Sequence, residues 1–269
     1  MKTMLRRTAA LLGALLLAAS AQAQISDAQA EALMRLSGQW AQLESLSEQM
    51  RSGLLEGLGK DTNPPSEALQ AKVKAAAAQA FTVERARQLA QRSVAENTRT
   101  EHLAELMRWY ESPVARRITQ AEVEDTARAE SDMKARTQRG MALVQAASPK
   151  RQQLLVRLVE VTRAPRAGAD IIISLGVQLP LALARLVPPP QPIEEAQLRA
   201  TLEDQRAQLT QAFEIITLAG FAIAYEGLPD DALEAYAKFM ATSAGEHFND
   251  VGVAALEAAM LGSVAALKP

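Results

Sequence analysis

Apolar residues recur every three or four positions along most of the chain after residue 26, and this spacing predicts helices. The first such stripe consists of Leu33, Leu36, Trp40, Leu43, Met50, Leu54 and Leu58. Ser26 and Gln29 have the spacing of a capping box, so we expect the first helix to open at Asp27. Gly57 and Gly59 should end it. No stretch alternates apolar and polar residues for long enough to suggest a strand, and the predicted fold is therefore all-α.

Further helix starts follow from the same capping rules. A second helix is predicted from about residue 66 to 96, and Thr98 with Glu101 forms another possible capping box. Ser112 and Pro113 have the pattern of an N-cap followed by a first-turn proline. They predict a long polar helix to about residue 144. The pair at 148–149 repeats this Ser-Pro pattern.

Two sequence offsets indicate that the chain contains a duplicated helical unit. Residues 31–36 align with 153–158 at an offset of 122, and 106–112 align with 236–242 at an offset of 130. The eight extra residues fall at the proline-rich stretch around 188–192, where an insertion is easily tolerated. We therefore predict repeats at 24–147 and 148–269, packed as one pseudo-symmetric, bundle-like domain. Residues 29–58 with 98–118 should superpose on 151–180 with 228–248 by one rotation.

The two predicted copies differ in polarity. The helix after Pro113 is rich in Glu, Asp and Arg, whereas its counterpart from Ala244 is mostly apolar. We expect the first to be a solvated connector and the second a core helix. The stretch 171–187 is also more apolar than its counterpart, 49–65. Buried core, an oligomer interface and membrane contact are the alternatives, and buried core is the preferred one.

Details of this apolar stretch carry further expectations. Its 17 residues are too short to cross the roughly 30 Å hydrocarbon core as a helix. Pro165 should break the helix before it, and Pro180 should kink it. The predicted buried stripe is Ile172, Leu175, Leu179, Leu183 and Leu186.

The first 23 residues have the three parts of a secretory signal peptide: a basic start, a short apolar run and small residues at 21 and 23. Cleavage after Ala23 and a periplasmic location are expected; an uncleaved anchor is the alternative. Of the 29 basic residues, three lie in this segment, which leaves 26 against 31 acidic residues. This net negative charge argues against a nucleic-acid partner. No transmembrane segment is expected in the mature chain.

Candidate chemistry is sparse. The chain has no cysteine, only His102 and His247 as imidazoles, and no Glu-x-x-His pattern of helical di-iron sites. No Gly-x-Ser-x-Gly elbow or phosphate-binding glycine loop occurs either. We therefore predict no catalytic, cofactor-binding or metal-binding residues and no cofactor. Both histidines are expected to be surface residues or to have their hydrogen-bonding needs satisfied.

Other residues that could serve a site have simpler structural interpretations. The aromatic pair Trp109–Tyr110 and its counterpart Phe239–Met240 suit core packing, with a ligand groove as the alternative. Ser112 is expected to cap a helix rather than act as a nucleophile. The arginines should form a solvated face; they are Arg85, Arg87, Arg92 and Arg99.

Residues 98–118 resemble an exported bacterial family, the domain of unknown function 2059. The resemblance rests on a short acidic helix, then Trp109-Tyr110-Glu111-Ser112-Pro113, with Ala115 in place of the usual Gly. It implies a helical envelope protein without an assigned activity and brings no catalytic residues. The preferred hypothesis is thus a non-enzymatic protein that binds or scaffolds an envelope partner. A carrier of a small apolar ligand or lipid in a cleft between the repeats, and a carboxylate-dependent hydrolase, are the alternatives.

Overall fold

A computed structural model describes residues 24–59, 66–128, 132–189 and 191–268. Over these residues the chain forms helices, and its one β feature is an isolated antiparallel bridge between Gln24 and Arg99. The helices are α1 (Asp27–Leu36), α2 (Gln39–Gly59), α3 (Glu67–Ala80), α4 (Val83–Asn97), α5 (Thr100–Glu111), α6 (Pro113–Ala127), α7 (Met133–Ala146), α8 (Pro149–Thr162), α9 (Ala164–Leu186), α10 (Glu195–Asp204), α11 (Arg206–Ala224), α12 (Asp230–Met240) and α13 (Ser243–Ala265). The predicted all-α class is confirmed. The predicted signal peptide, 1–23, lies outside the described residues.

Several helix starts follow the predicted capping residues. Ser26 accepts a hydrogen bond from the Gln29 backbone N–H while the Gln29 side chain accepts one from Ser26, which completes the capping box. Ser112 and Ser148 likewise cap α6 and α8. The expected box at Thr98 is wrong. Thr98 is buried in extended conformation as the C-cap of α4, and α5 begins two residues later without a side-chain cap.

Three predicted long helices are each divided in two. The first breaks at Ser37–Gly38, where Gly38 adopts a φ of 80° suited to a helix C-terminus. The second breaks at Phe81, and Thr82 caps the new helix. The third ends at Ala127 and resumes at Met133. The apolar spacing runs through these breaks because neighbouring helices turn their apolar faces to the same core, so periodicity alone does not reveal them.

We refer to residues 24–147 and 148–269 as the first and second halves. The long closing helix α13 packs along α4 of the first half, and α7 packs along α11 of the second. A glycine lies at each contact. A Cβ at Gly262 would be 2.6 Å from Leu89 of α4, and a Cβ at Gly140 would overlap the backbone of Ala219 in α11. Leu89 and Ala219 are 130 residues apart, the offset found in the sequence.

Other contacts also occur in matching pairs, either between the halves or within each of them. Helix α5 packs on α13 as α12 packs on α6, and α2 packs on α6 as α9 packs on α13. Trp109 and Phe239 are also 130 residues apart, and their rings stack on each other with centroids 4.3 Å apart and an interplanar angle of 8°. Two related halves facing each other across a two-fold axis would make such contacts. That one rotation superposes them stays a prediction.

The apolar segment around 171–187 differs from its predicted form. Helix α8 ends before Pro165, as expected, but α9 begins at Ala164 and continues through Pro180 for 23 residues. At about 1.5 Å per residue it is about 35 Å long, so the length argument against a membrane span is wrong. By length and composition α9, α11 and α13 could each cross a membrane. The absence of a transmembrane segment stays a prediction.

The buried face of α9 matches the predicted stripe only in part: Leu186 is 1% exposed, as expected, but Ile172 is not buried. Ile172 is 42% exposed, whereas its neighbours Ile171 and Ile173 are 8% and 2% exposed. Leu175, Leu179 and Leu183 are only partly buried, at the edge of a core cluster shared with α3 and α13. The prediction failed at Ile172 because α9 packs against α3, α10, α11 and α13 rather than against one core, so its buried residues lie on more than one side.

Candidate functional site

A cavity of about 400 Å³ lies between the two halves. Helices α2 and α6 form its first-half wall, and α12 and α13 form its second-half wall. We call it the central cavity. Its described lining is mainly apolar and aromatic, with a few amide and hydroxyl groups and one carboxyl: Ser37, Gln39, Gln42, Leu43, Leu46, Gln49, Ala90, Tyr110, Glu122, Thr126, Tyr236, Met240, Phe248, Asn249, Gly252, Val253, Ala255 and Leu256.

Glu122 reaches the cavity because of the way α6 is built. Ser112 accepts a hydrogen bond of 3.2 Å from the Ala115 N–H, and this cap fixes the start of the helix. Ala115 and Ile118 are buried, and Glu122 follows Ile118 by four residues, which places it on the same helix face. The expectation that α6 is a solvated connector is therefore wrong at its inward face.

Two tyrosines from the second half surround the Glu122 carboxyl. The Tyr225 hydroxyl donates a hydrogen bond of 2.6 Å to Oε1 of Glu122. Tyr236 is a second hydrogen-bond partner of this carboxyl. The two tyrosine rings meet edge to face with centroids 6.2 Å apart. The acid of one half is thus held by hydroxyl donors of the other.

Burial dominates the ionisation of this group. It raises the pKa of Glu122, and the hydrogen bonds from Tyr225 and Tyr236 oppose that rise only in part. Burial, and then the negative charge of Glu122, raise the pKa values of both tyrosines well above their ordinary value. The tyrosines therefore remain protonated donors, and burial favours the protonated form of Glu122.

Arg151 of α8 fixes the segment that carries Tyr225. Its guanidinium donates to the backbone carbonyl oxygens of Tyr225 and Leu228 and pairs with Asp230 at 3.0 Å. Charge-assisted bonds to carbonyl oxygens at the end of a helix restrain the chain strongly. The Tyr225 hydroxyl is consequently held in place beside Glu122.

The aromatic residues singled out in the sequence divide between packing and cavity wall. Trp109 stacks on Phe239, and Tyr110 meets Phe239 and Phe248 edge to face. Tyr110 and Met240 line the central cavity, whereas Trp109 and Phe239 do not. The packing interpretation therefore holds for all four residues, since they belong to one core cluster or pack against it. For Tyr110 and Met240, which also line the cavity, the ligand-groove alternative stays a prediction.

The two histidines lie together, and the expectation of surface or satisfied imidazoles is wrong for His102, whose Nε2 is buried without a hydrogen-bond partner among the described residues. Their ring centroids are 5.0 Å apart, and Nε2 of His247 accepts a 3.0 Å hydrogen bond from the Arg99 N–H. Burial, followed by the neighbouring His102, lowers the pKa of His247. Across the described ranges no three His, Cys, Asp or Glu residues are grouped closely enough to hold a metal ion.

The remaining residues mostly have structural roles. Ser112 is the predicted N-cap. Of the four arginines expected on a solvated face, Arg87 departs from it. This side chain is only 23% exposed, lies over the Trp40 ring and donates to the Trp40 carbonyl oxygen.

Sequence reasoning missed Glu122 and Tyr225. Glu122 belongs to a run of charged residues that is typical of a solvated face. Its one local signal is its register with Ala115 and Ile118. Tyr225 is 103 residues away along the chain, so no spacing rule connects the two.

Comparisons of the chain with protein-family models, with curated proteins and with solved structures find no match.

Proposed function

We propose that this protein is an exported helical protein that binds a small, largely apolar ligand in the central cavity. The observation that carries the proposal is a cavity of about 400 Å³ between the halves, walled by apolar and aromatic side chains around one hydrogen-bonded carboxyl. Small-molecule sites have volumes of roughly 300–1,000 Å³ and combine such walls with a few polar groups that orient the ligand.

The cavity changes the ranking of the hypotheses drawn from the sequence. A closed, dry cavity above roughly 300 Å³ between the halves is the feature expected of a carrier. The central cavity has the volume but is partly open to solvent, so it supports the carrier in part. An acid with a raised pKa is the feature that favours a hydrolase. Glu122 is the one carboxyl among the described lining residues, and carboxylate hydrolases typically use two acids across the scissile bond. Ligand binding is therefore the preferred proposal.

Export, duplication and family membership are parts of the same proposal. The tripartite pattern of residues 1–23 supports export to the periplasm. The exchanged helix contacts and the stacking of Trp109 on Phe239 support two related halves. A ligand site at the junction of two such halves is a common arrangement, since clefts form where two packed units meet.

A fluorescent apolar probe tests the binding proposal. N-phenyl-1-naphthylamine should bind the signal-less protein saturably, with an increase in fluorescence. Val253→Trp fills part of the cavity and should weaken this binding at least about tenfold, equal to about 1.4 kcal/mol. Met133→Trp is the matched control, because Met133 is 53% exposed and lies outside the cavity.

The two variants distinguish binding of the probe in the cavity from binding on another surface. Thermal melts establish that both are folded. Binding that is unchanged in Val253→Trp, or that is lost equally in both variants, would place the probe on another surface and contradict the proposal.

A second candidate function is binding or scaffolding of an envelope partner. The observation in its favour is a set of exposed apolar side chains on α8, α9 and α11, namely Val156, Ile172 and Ile215. Exposed apolar groups of this kind occur at interaction surfaces. Size-exclusion chromatography and liposome co-sedimentation of the signal-less protein test self-association and membrane contact, respectively.

A further inference from the structure

The central cavity has an unusual balance of charge. Its described lining includes the Glu122 carboxyl but no Lys, Arg or His. A ligand with a carboxylate or phosphate head would find no cation there and would be repelled by Glu122 once that group ionises. The cavity is thus poorly suited to fatty acids and similar anions.

Aromatic rings and amide groups line the same cavity as Glu122. Tyr110, Tyr236 and Phe248 line the cavity, and the Tyr110 and Phe248 rings are 5.5 Å apart. The faces of such rings attract organic cations. The lining also includes the amides of Gln42, Gln49 and Asn249, whose oxygens can accept hydrogen bonds.

Gln39 adds an independent observation. Its Oε1 atom is buried and has no hydrogen-bond partner among the described residues. Its Nε2 atom fills the space above Gly252, because a Cβ at that position would be 2.8 Å from it. An unpaired buried acceptor costs about 1–3 kcal/mol, and a ligand that brings N–H donors would remove that cost.

We propose that the ligand is an organic amine with an apolar body, whose ammonium group pairs with the Glu122 carboxylate among these aromatic rings. The proposal rests on the proposed function and specifies the ligand's chemical class. The apolar walls formed by Leu43, Leu46 and Val253 would contact the hydrocarbon part. An ammonium group donates three hydrogen bonds, which suits a site of one carboxylate and several amide oxygens.

Because Glu122 can ionise, the affinity for an amine should depend on pH. In the free protein burial favours the protonated acid, whereas a bound ammonium ion favours the carboxylate. Binding of the ammonium form therefore releases a proton wherever Glu122 starts protonated. Amine affinity should rise as the pH rises through the pKa of Glu122, while the affinity of a neutral ligand should stay constant.

Three probes of equal chain length test the inference by isothermal titration calorimetry: octylamine, octanol and octanoate. At pH 8 wild-type protein should bind octylamine at least about tenfold more tightly than octanol, a difference of about 1.4 kcal/mol. Octanoate should bind most weakly. Glu122→Gln keeps the size and an acceptor oxygen but removes the charge. It should lower octylamine affinity to that of octanol and leave octanol affinity unchanged.

Glu124→Gln is the matched control, because Glu124 lies on the same helix and outside the cavity lining. It should not change any of the three affinities. The result that overturns the inference is octanol or octanoate binding as tightly as octylamine, or octylamine affinity that survives in Glu122→Gln. In that case binding of the fluorescent probe still supports the cavity as a site. If neither the probe nor any of the three compounds binds, the proposed function fails as well.

Discussion

The predicted duplication pairs helix α6 of the first half with helix α13 of the second, and these two helices differ at the position that faces the cavity. Ser112 and Thr242 cap them, and each hydroxyl accepts from the backbone N–H three residues on. Ten residues after the cap, α6 has Glu122 and α13 has Gly252, and both line the central cavity. One wall therefore has a carboxyl where the other leaves room for the Gln39 side chain.

The partners of Glu122 differ between the halves as well. Tyr225 and Tyr236 supply its hydroxyl donors, whereas the positions 130 residues earlier are Ala95 and Leu106, both buried and apolar. The acid thus occurs on the side where donors exist to satisfy it. A buried carboxyl without such donors would be strongly destabilising.

The largest loss of stability is expected from a substitution in the aromatic stack between the two halves. Phe239 is 6% exposed and stacks on Trp109, so Phe239→Ala should lower the free energy of unfolding by about 3–5 kcal/mol. Trp109 is only partly buried, and Trp109→Ala should therefore lower the free energy of unfolding by less than Phe239→Ala does. Denaturant unfolding of both variants measures this. Small and equal losses of unfolding free energy in the two variants would contradict a stabilising stack of Trp109 on Phe239.

A methyl group added at the glycine of each helix crossing should lower the free energy of unfolding by different amounts at the two crossings. Gly140→Ala places a Cβ against the backbone of Ala219, which cannot yield without moving α11, so we expect a loss of about 1–3 kcal/mol. At Gly262 the obstacle is the flexible end of Leu89, and the loss should be smaller. Gly53→Ala is the control. Nothing lies near Gly53, and alanine should stabilise α2 by about 0.5–1 kcal/mol. Equal losses at Gly140 and Gly262 would contradict this account of the two crossings.

Glu122→Gln should change how stability depends on pH. The raised pKa means that the folded state holds the proton at pH values where the unfolded chain, with a pKa of about 4.3, has lost it. Wild-type stability should therefore fall as the pH rises from the unfolded-state pKa to the folded-state pKa, by about 1.4 kcal/mol for each pH unit between them. The glutamine variant should lack this loss. Chemical denaturation between pH 4 and pH 9, with Glu124→Gln as control, measures the difference. If the difference in unfolding free energy between wild type and Glu122→Gln is the same at every pH, the raised pKa of Glu122 is contradicted.

The smallest change in stability is expected from a substitution on the exposed face of α9. Ile172→Lys should change the melting temperature little, within about 0.5 kcal/mol in stability, because the side chain is 42% exposed. The same change at buried Ile173 is the control and should cost several times more. A large loss at Ile172 would support the buried stripe predicted from sequence.

The sequence predicted the helix class and several helix starts because local rules decide them. Ser26, Ser112 and Ser148 cap helices through bonds to residues three positions away. The burial of Ile171 and Ile173 on either side of exposed Ile172 was not predictable, since it depends on which helices pack against each side of α9. Glu122 was missed for a similar reason. Its role depends on Tyr225 and Tyr236, whose proximity comes from the fold and not from any local pattern.

The most direct test of the account is the titration of the Glu122 carboxyl carbon by ¹³C NMR, assigned with the Glu122→Gln variant. In the free protein its pKa should lie above the ordinary glutamate value of about 4.3, and saturating octylamine should lower it. Octanol should not lower it. An ordinary pKa in the free protein that octylamine leaves unchanged would contradict the claim that this carboxyl is the ligand-binding group of the central cavity.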